Sequence, residues 1–120
     1  MESTDIEGGC FCGAIRYRAG GKPLHSTVCH CESCRKACGA QSVAWITVPA
    51  GAFSWTQGEP FRFHSSPGVA RTFCGRCGTS LTYAHENRPG EIDLTTGSLD
   101  DPEAFPPTEQ VFAEMKLSWT

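Results

Sequence analysis

The sequence predicts a mostly-β domain with its cysteines placed at turns, and three observations predict it. Thirteen glycines and eight prolines in 120 residues fit short strands joined by many turns. Several short segments alternate apolar and polar residues or are rich in β-branched and aromatic ones. Seven of the eight cysteines fall into three clusters, the first and third of which border those segments. A chain of this length is expected to form one domain spanning residues 1–120, burying roughly two-thirds of its unfolded surface.

Taken in order, residues 14–19 (Ala-Ile-Arg-Tyr-Arg-Ala) alternate as a half-buried strand does. Cys29 lies where a strand ends. Residues 31–37 predict a short helix stopped by Gly39. Ser42 to Val48 reads as a strand ended by Pro49. Phe53-Ser54-Trp55 and Phe61-Arg62-Phe63 read as two short strands on either side of a Gln57-Gly58-Glu59-Pro60 turn. Val69 to Phe73 leads into the third cysteine cluster and Thr79 to Tyr83 leads out, which predicts a hairpin with a metal knuckle at its tip. Glu91 to Thr96 alternates again, and Asp101-Pro102-Glu103 predicts one capped helical turn.

The net charge of −3 provides no basic face for nucleic acid and no polybasic run for anionic membranes. The N-terminal Met1-Glu2-Ser3-Thr4-Asp5 has no apolar core of a signal peptide, and no apolar run approaches the ~20 residues of a spanning helix. The expected location is the cytoplasm. Thiols stay reduced there, so clustered cysteines read as metal ligands before disulfides. An even count of eight also fits a disulfide scaffold, but cysteines this close in sequence bridge poorly.

Tetrahedral zinc holds thiolate sulfurs ~3.8 Å apart. Cys10 and Cys12 share one face of an extended chain, and Gly8, Gly9 and Gly13 let that segment bend. Cys74 and Cys77 converge if Gly75 and Gly78 permit a tight turn. Neither pair completes a site alone, so the simplest closed site is Cys10, Cys12, Cys74 and Cys77. The middle cluster, Cys29, Cys31 and Cys34, brings three sulfurs from one segment and leaves a fourth position open, as catalytic zinc sites do. Spacing alone fits a structural role for this second site as well as a catalytic one. Arg35 and Lys36 are placed to offset its charge or attract an anionic substrate. Cys38, four residues after Cys34, has three roles open to it: fourth ligand, free thiol beside the site, or inert buried cysteine.

His30 points away from its neighbouring ligands on an extended strand, and His25, His64 and His85 read as ordinary surface or hydrogen-bonded histidines. Asp100, Asp101 and Glu103 read as a solvated turn with a capping role. Phe11, Trp45, Phe53, Trp55 and Trp119 read as core.

Together these residues resemble the glutathione-dependent formaldehyde-activating enzyme family, which also includes centromere protein V. The resemblance rests on Gly8 to Tyr17, on Cys29 to Lys36 with Gly39-Ala40, and on Ser65 to Val69. It continues through Arg71 to Cys74, Cys77 to Leu81, Thr96 to Pro102, Lys116 and Trp119. It implies coiled antiparallel β-sheets with zinc-ribbon character and two zincs per chain. One would be structural, on Cys10, Cys12, Cys74 and Cys77, and one catalytic, on Cys29, Cys31 and Cys34. It implies a carbon–sulfur lyase that joins formaldehyde to glutathione as S-hydroxymethylglutathione. The chain departs from the pattern at Gln110, where the family often has His, and at Cys38. The leading expectation is a zinc-dependent lyase-type enzyme acting on a thiol–aldehyde adduct. Its rivals are a non-catalytic zinc-binding interaction module and a redox or metal sensor built on Cys29, Cys31, Cys34 and Cys38.

Overall fold

The computed structural model describes residues 5–120. Ten strands and one α-helix follow in the order β1 Ile6–Gly9, β2 Arg16–Ala19, β3 His25–Cys29, α1 Glu32–Cys38, β4 Val43–Pro49, β5 Phe53–Gln57, β6 Phe61–Ser66, β7 Val69–Phe73, β8 Ser80–His85, β9 Glu91–Thr95 and β10 Glu109–Val111. They form a three-stranded sheet, β1-β2-β5, and a seven-stranded sheet, β10-β3-β4-β9-β8-β7-β6. All neighbours are antiparallel except β10, which lies parallel to β3. The fold is therefore mostly β, as expected.

The period-2 pattern of β4 shows how one strand serves two sides of the large sheet. Ile46 and Val48 are fully buried in the main core with Leu81 and Leu94 of the same sheet. Ile6, Tyr17 and Ala19 of the small sheet complete that core, and Phe53 and Trp55 pack against it. Each aliphatic side chain buried this way contributes roughly 1.5–3 kcal/mol. Val43 and Trp45 instead join a second, smaller apolar cluster with Cys29 and Cys34. Tyr17 adds a hydrogen bond of 2.6 Å between its hydroxyl and Ser98 Oγ, tying the small sheet to the turn after β9.

The helix begins and ends for local reasons. Cys31 caps it, its Sγ accepting from the Cys34 N–H at 3.3 Å, and Gly39 closes it in the left-handed conformation. The expected hairpin β7–β8 is present.

One expectation gains a detail and two change. The strands around Gln57–Pro60 form, but they are not partners: β5 pairs with β2 in the small sheet and β6 with β7 in the large one. The turn is a crossing between sheets. Gln57 Nε2 donates to Gly13 O at 3.0 Å, and Gly58 adopts φ +74° with the carbonyl of Ala14 only 2.3 Å from where a Cβ would lie. The turn at Pro102–Ala104 is a 3-10 turn, and the Asp101 side chain makes no capping hydrogen bond to it. Phe11 and Trp119 are not core: they are 94% and 71% exposed.

Because Gly58 meets both a left-handed backbone and a contact with Ala14, Gly58→Ala is expected to cost roughly 1–3 kcal/mol. Urea unfolding of the metal-loaded protein checks this, a lower midpoint with unchanged slope being the expected result.

Candidate metal centres

Two turns from opposite sheets bring four sulfurs together. After β1 the chain folds back through Cys10 N–H to Ile15 O at 3.1 Å and Gly13 N–H to Cys10 O at 3.1 Å, so Cys10 and Cys12 sit at the loop. Between β7 and β8, Cys74 N–H reaches Thr79 O at 3.0 Å and Gly78 N–H reaches Cys74 O at 2.8 Å. Gly78 supplies the left-handed residue at φ +84°, whereas at Gly75 the need is space, because the Phe61 ring lies where a side chain would begin. The sulfurs of Cys10, Cys12, Cys74 and Cys77 all lie within 4.8 Å of one another. Cys10–Cys12 and Cys12–Cys74 are 3.6 and 3.8 Å apart, the spacing tetrahedral thiolate coordination requires.

Backbone N–H groups point at these sulfurs, as they do at thiolates. Ile15 N–H donates to Cys10 Sγ at 3.2 Å, and Arg76 and Cys77 N–H donate to Cys74 Sγ at 3.3 and 3.4 Å. Thr79 links the two loops: its Oγ1 accepts from Phe11 N–H at 3.0 Å and its hydroxyl donates to Cys77 Sγ at 3.2 Å. That hydroxyl, with the Thr79 backbone, holds the Cys77 thiol down to about 5.

The second group is Cys29, Cys31 and Cys34, again with all sulfurs within 4.8 Å. Cys29 ends β3, Cys31 caps the helix and Cys34 lies in its first turn. The Cys29 thiol beside it, aided by Arg71 and opposed by burial, brings Cys34 down to about 5. Cys29 is correspondingly pushed far up, first by Cys34 and then by burial. Both groups could hold a metal ion, and thiolates of this number and spacing suit zinc.

Cys38 stands outside the second group. Four residues of helix carry it roughly 6 Å along the axis, where it packs against the cluster of Cys29, Cys34 and Trp45 and lines a cavity of ≈ 410 Å³ that shares Trp45 and Arg71 with the cleft described below. Burial pushes its thiol up, so it stays neutral. Arg35 and Lys36 have other partners. Arg35 Nε donates to His30 O at 3.2 Å, Lys36 pairs with Glu32 at 3.8 Å on the exposed side, and neither lines the cleft described next.

The second group has a positive neighbour at Cys34, Arg71, which the cysteine pattern did not reveal. It is 9% exposed, and its Nη2 lies 3.7 Å from Cys34 Sγ. Its guanidinium stacks over Tyr83 at 4.8 Å and its Nε donates to Ser65 Oγ at 3.1 Å. An arginine at an inward position of a Val-Ala-Arg-Thr-Phe strand was the available sequence signal.

The three cysteines open on a cleft of ≈ 720 Å³. Register builds its floor: His25, Thr47, Asp93, Tyr83 and Arg71 are successive partners on β3, β4, β9, β8 and β7, and all line the cleft. Thr47 Oγ1 donates to Asp93 Oδ1 at 2.6 Å, and Arg88 joins Asp93 Oδ2 and Glu91 Oε1 at 2.8 Å each. His25 is four residues from Cys29, ~13 Å along an extended strand, so the row runs from its far end at His25 to Arg71 beside Cys34. Trp45, expected as core, is buried and also lines the cleft. Gln110 does not line it. Its Oε1 accepts from His30 Nε2 at 2.8 Å, while its neighbours Glu109 and Val111 face the cleft. The departure from the family pattern therefore falls behind the site, on the imidazole between two of the cysteines.

Comparison with known proteins agrees with this picture. The model of the family described as glutathione-dependent formaldehyde-activating enzyme matches residues 5–115. An uncharacterized lyase of Schizosaccharomyces pombe is 34% identical over 90 residues, which covers 69% of this chain and 60% of that protein, so the match spans less than two-thirds of the relative. A putative glutathione-dependent formaldehyde-activating enzyme of Halomonas elongata is 27% identical over 124 residues, covering 95% of this chain and 78% of that one. A crystal structure of a Rhodobacter sphaeroides protein superposes with a TM-score of 0.66 at 19% identity, over 88% of this chain and 99% of that one, and so shares the fold.

Elemental analysis tests the sulfur groups. Purified protein is expected to carry one metal ion for each of the two groups. Cys34→Ser is expected to lose the ion of its group, and Cys38→Ser to keep both.

Proposed function

The chain belongs to the glutathione-dependent formaldehyde-activating enzyme family, and from that premise we propose that it is a zinc-dependent carbon–sulfur lyase-type enzyme acting on a thiol–aldehyde adduct. One observation supports this most: three convergent cysteine sulfurs open on a cleft that also presents a buried arginine. Cys29, Cys31 and Cys34 would hold the second zinc, and Cys10, Cys12, Cys74 and Cys77 the structural one. Zinc in such a three-thiolate site supplies a soft Lewis acid that favours the thiolate form of a thiol, the nucleophilic one.

The protein's own groups account for the rest. The substrate thiolate attacks the aldehyde carbon, the new S–C bond forms, and the carbonyl π pair moves to oxygen. The proton given up by the thiol ends on that oxygen, and the reverse reaction breaks the same bond. Arg71 is a donor beside Cys34 Sγ, and its guanidinium stabilises the charge that develops on oxygen. Its stacking on Tyr83 and its bond to Ser65 fix its orientation, so little reorganisation is needed as that charge appears. Tyr83, kept protonated chiefly by burial, offers a second hydroxyl donor in the cleft. Thr47, Asp93, Arg88 and His25 provide polar partners for the far end of a peptide-sized thiol such as glutathione. The sensor reading, in which Cys38 joins Cys29, Cys31 and Cys34, ranks second, because Cys38 packs against their cluster but lies outside the group of converging sulfurs.

Exchange NMR on glutathione and formaldehyde tests the proposal. Zinc-loaded protein is expected to accelerate formation and breakdown of the adduct over the spontaneous rate. Arg71→Gln is expected to reduce that acceleration by on the order of 10²-fold, the usual effect of removing a preorganised oxyanion donor. An unchanged spontaneous rate would remove this substrate pair.

A further inference from the structure

The cleft carries a feature for which formaldehyde has no use. Val111, Phe112 and Met115 line it beside the three cysteines. Their place is set by register: Val111 is the parallel-strand partner of Cys29, and it packs on the apolar cluster containing Cys29, Cys34 and Trp45. Phe112 follows directly and is 52% exposed, with Met115 at 43%. Three apolar side chains gathered at one lip of a cleft, rather than scattered singly, form the kind of patch that marks a binding site. Phe112 is also the one non-glycine among the described residues with a left-handed backbone, at φ 55°. An aromatic residue rarely adopts that conformation, and such departures concentrate at functional sites. The Met115 N–H closes the following turn on Phe112 O at 3.0 Å, which holds both side chains on one short arch.

The polar row at His25, Thr47 and Asp93 lies along the cleft from Cys29, in the direction a peptide thiol's polar body would take. The lip at Val111, Phe112 and Met115 lies at the cysteine end, where the carbonyl carbon must sit. Formaldehyde bears only hydrogens on that carbon and would leave the lip without contact.

We infer that the lip is a subsite for an apolar substituent on the aldehyde, so the carbonyl substrate is a longer aliphatic or aromatic aldehyde. This rests on the thiol–aldehyde reading above. The bond changes are the same as for formaldehyde: sulfur bonds to the carbonyl carbon, and the thiol proton ends on the carbonyl oxygen. Only the group carried by that carbon differs.

The test is titration calorimetry with two stable thioethers that mimic the adducts, S-methylglutathione and S-hexylglutathione, on zinc-loaded wild type and Phe112→Gly. Glycine accepts φ 55° without strain, so this variant removes the ring while relieving the backbone. Wild type is expected to bind the hexyl compound roughly tenfold or more tightly than the methyl one, because added methylenes are buried. Phe112→Gly is expected to lose most of that ratio. Equal affinities in wild type, or a ratio undiminished in Phe112→Gly, would overturn the subsite and leave the thiol–aldehyde reading standing. Failure of both compounds to bind wild type would overturn that reading, and the subsite with it.

Discussion

The convergence of Cys10, Cys12, Cys74 and Cys77 is the constraint on which the rest of the structure depends. It joins the loop after β1 to the tip of the β7–β8 hairpin, and so pins the small sheet to the large one. Cys10 and Cys74 are buried in the same core as Ile46, Leu81 and Leu94, so the clamp and the apolar packing act on the same layer. Four thiolates at van der Waals contact repel strongly unless a cation lies among them. Thr79 reinforces the junction by bonding to both loops. The clamp also fixes the end of β7, and β7 carries Arg71.

Arg71 is where architecture becomes chemistry. Its backbone belongs to a strand held by the first sulfur group, and its guanidinium reaches a sulfur of the second. The two groups are therefore linked through a single five-residue strand. A buried guanidinium needs partners on all sides, and here a sulfur, a hydroxyl and an aromatic face provide them. This arrangement places one preorganised cation next to Cys34 in a cleft that is otherwise largely lined by strands.

The two faces of the large sheet divide the work. Ile46 and Leu94, paired across β4 and β9, close the core. The next pair, Thr47 and Asp93, points the other way into the cleft. A strand side-chain period of 2 makes this division unavoidable once register is set. At the cleft's other end, β10 contributes Glu109 and Val111 to the cleft and turns Gln110 back onto His30, by the same alternation.

The sequence by itself determined the β class, most strands of the large sheet, the helix stopped at Gly39 and the two groups of cysteines. These follow from short-range chemistry: alternation, turn residues and ligand spacing all act within a few positions. It did not show that β5 and β6 belong to different sheets, since each looks like a strand whatever its partner. Nor did it show the three-residue β10, whose Glu-Gln-Val has no strand pattern of its own and exists through pairing with β3. Tertiary structure alone decided that Arg71, rather than Arg35 or Lys36, meets Cys34, and that Cys38 lies outside the group of three converging sulfurs. Those outcomes depend on strand register and on which way a helix turns from its cap. Both are fixed only when residues far apart in the chain pack against one another.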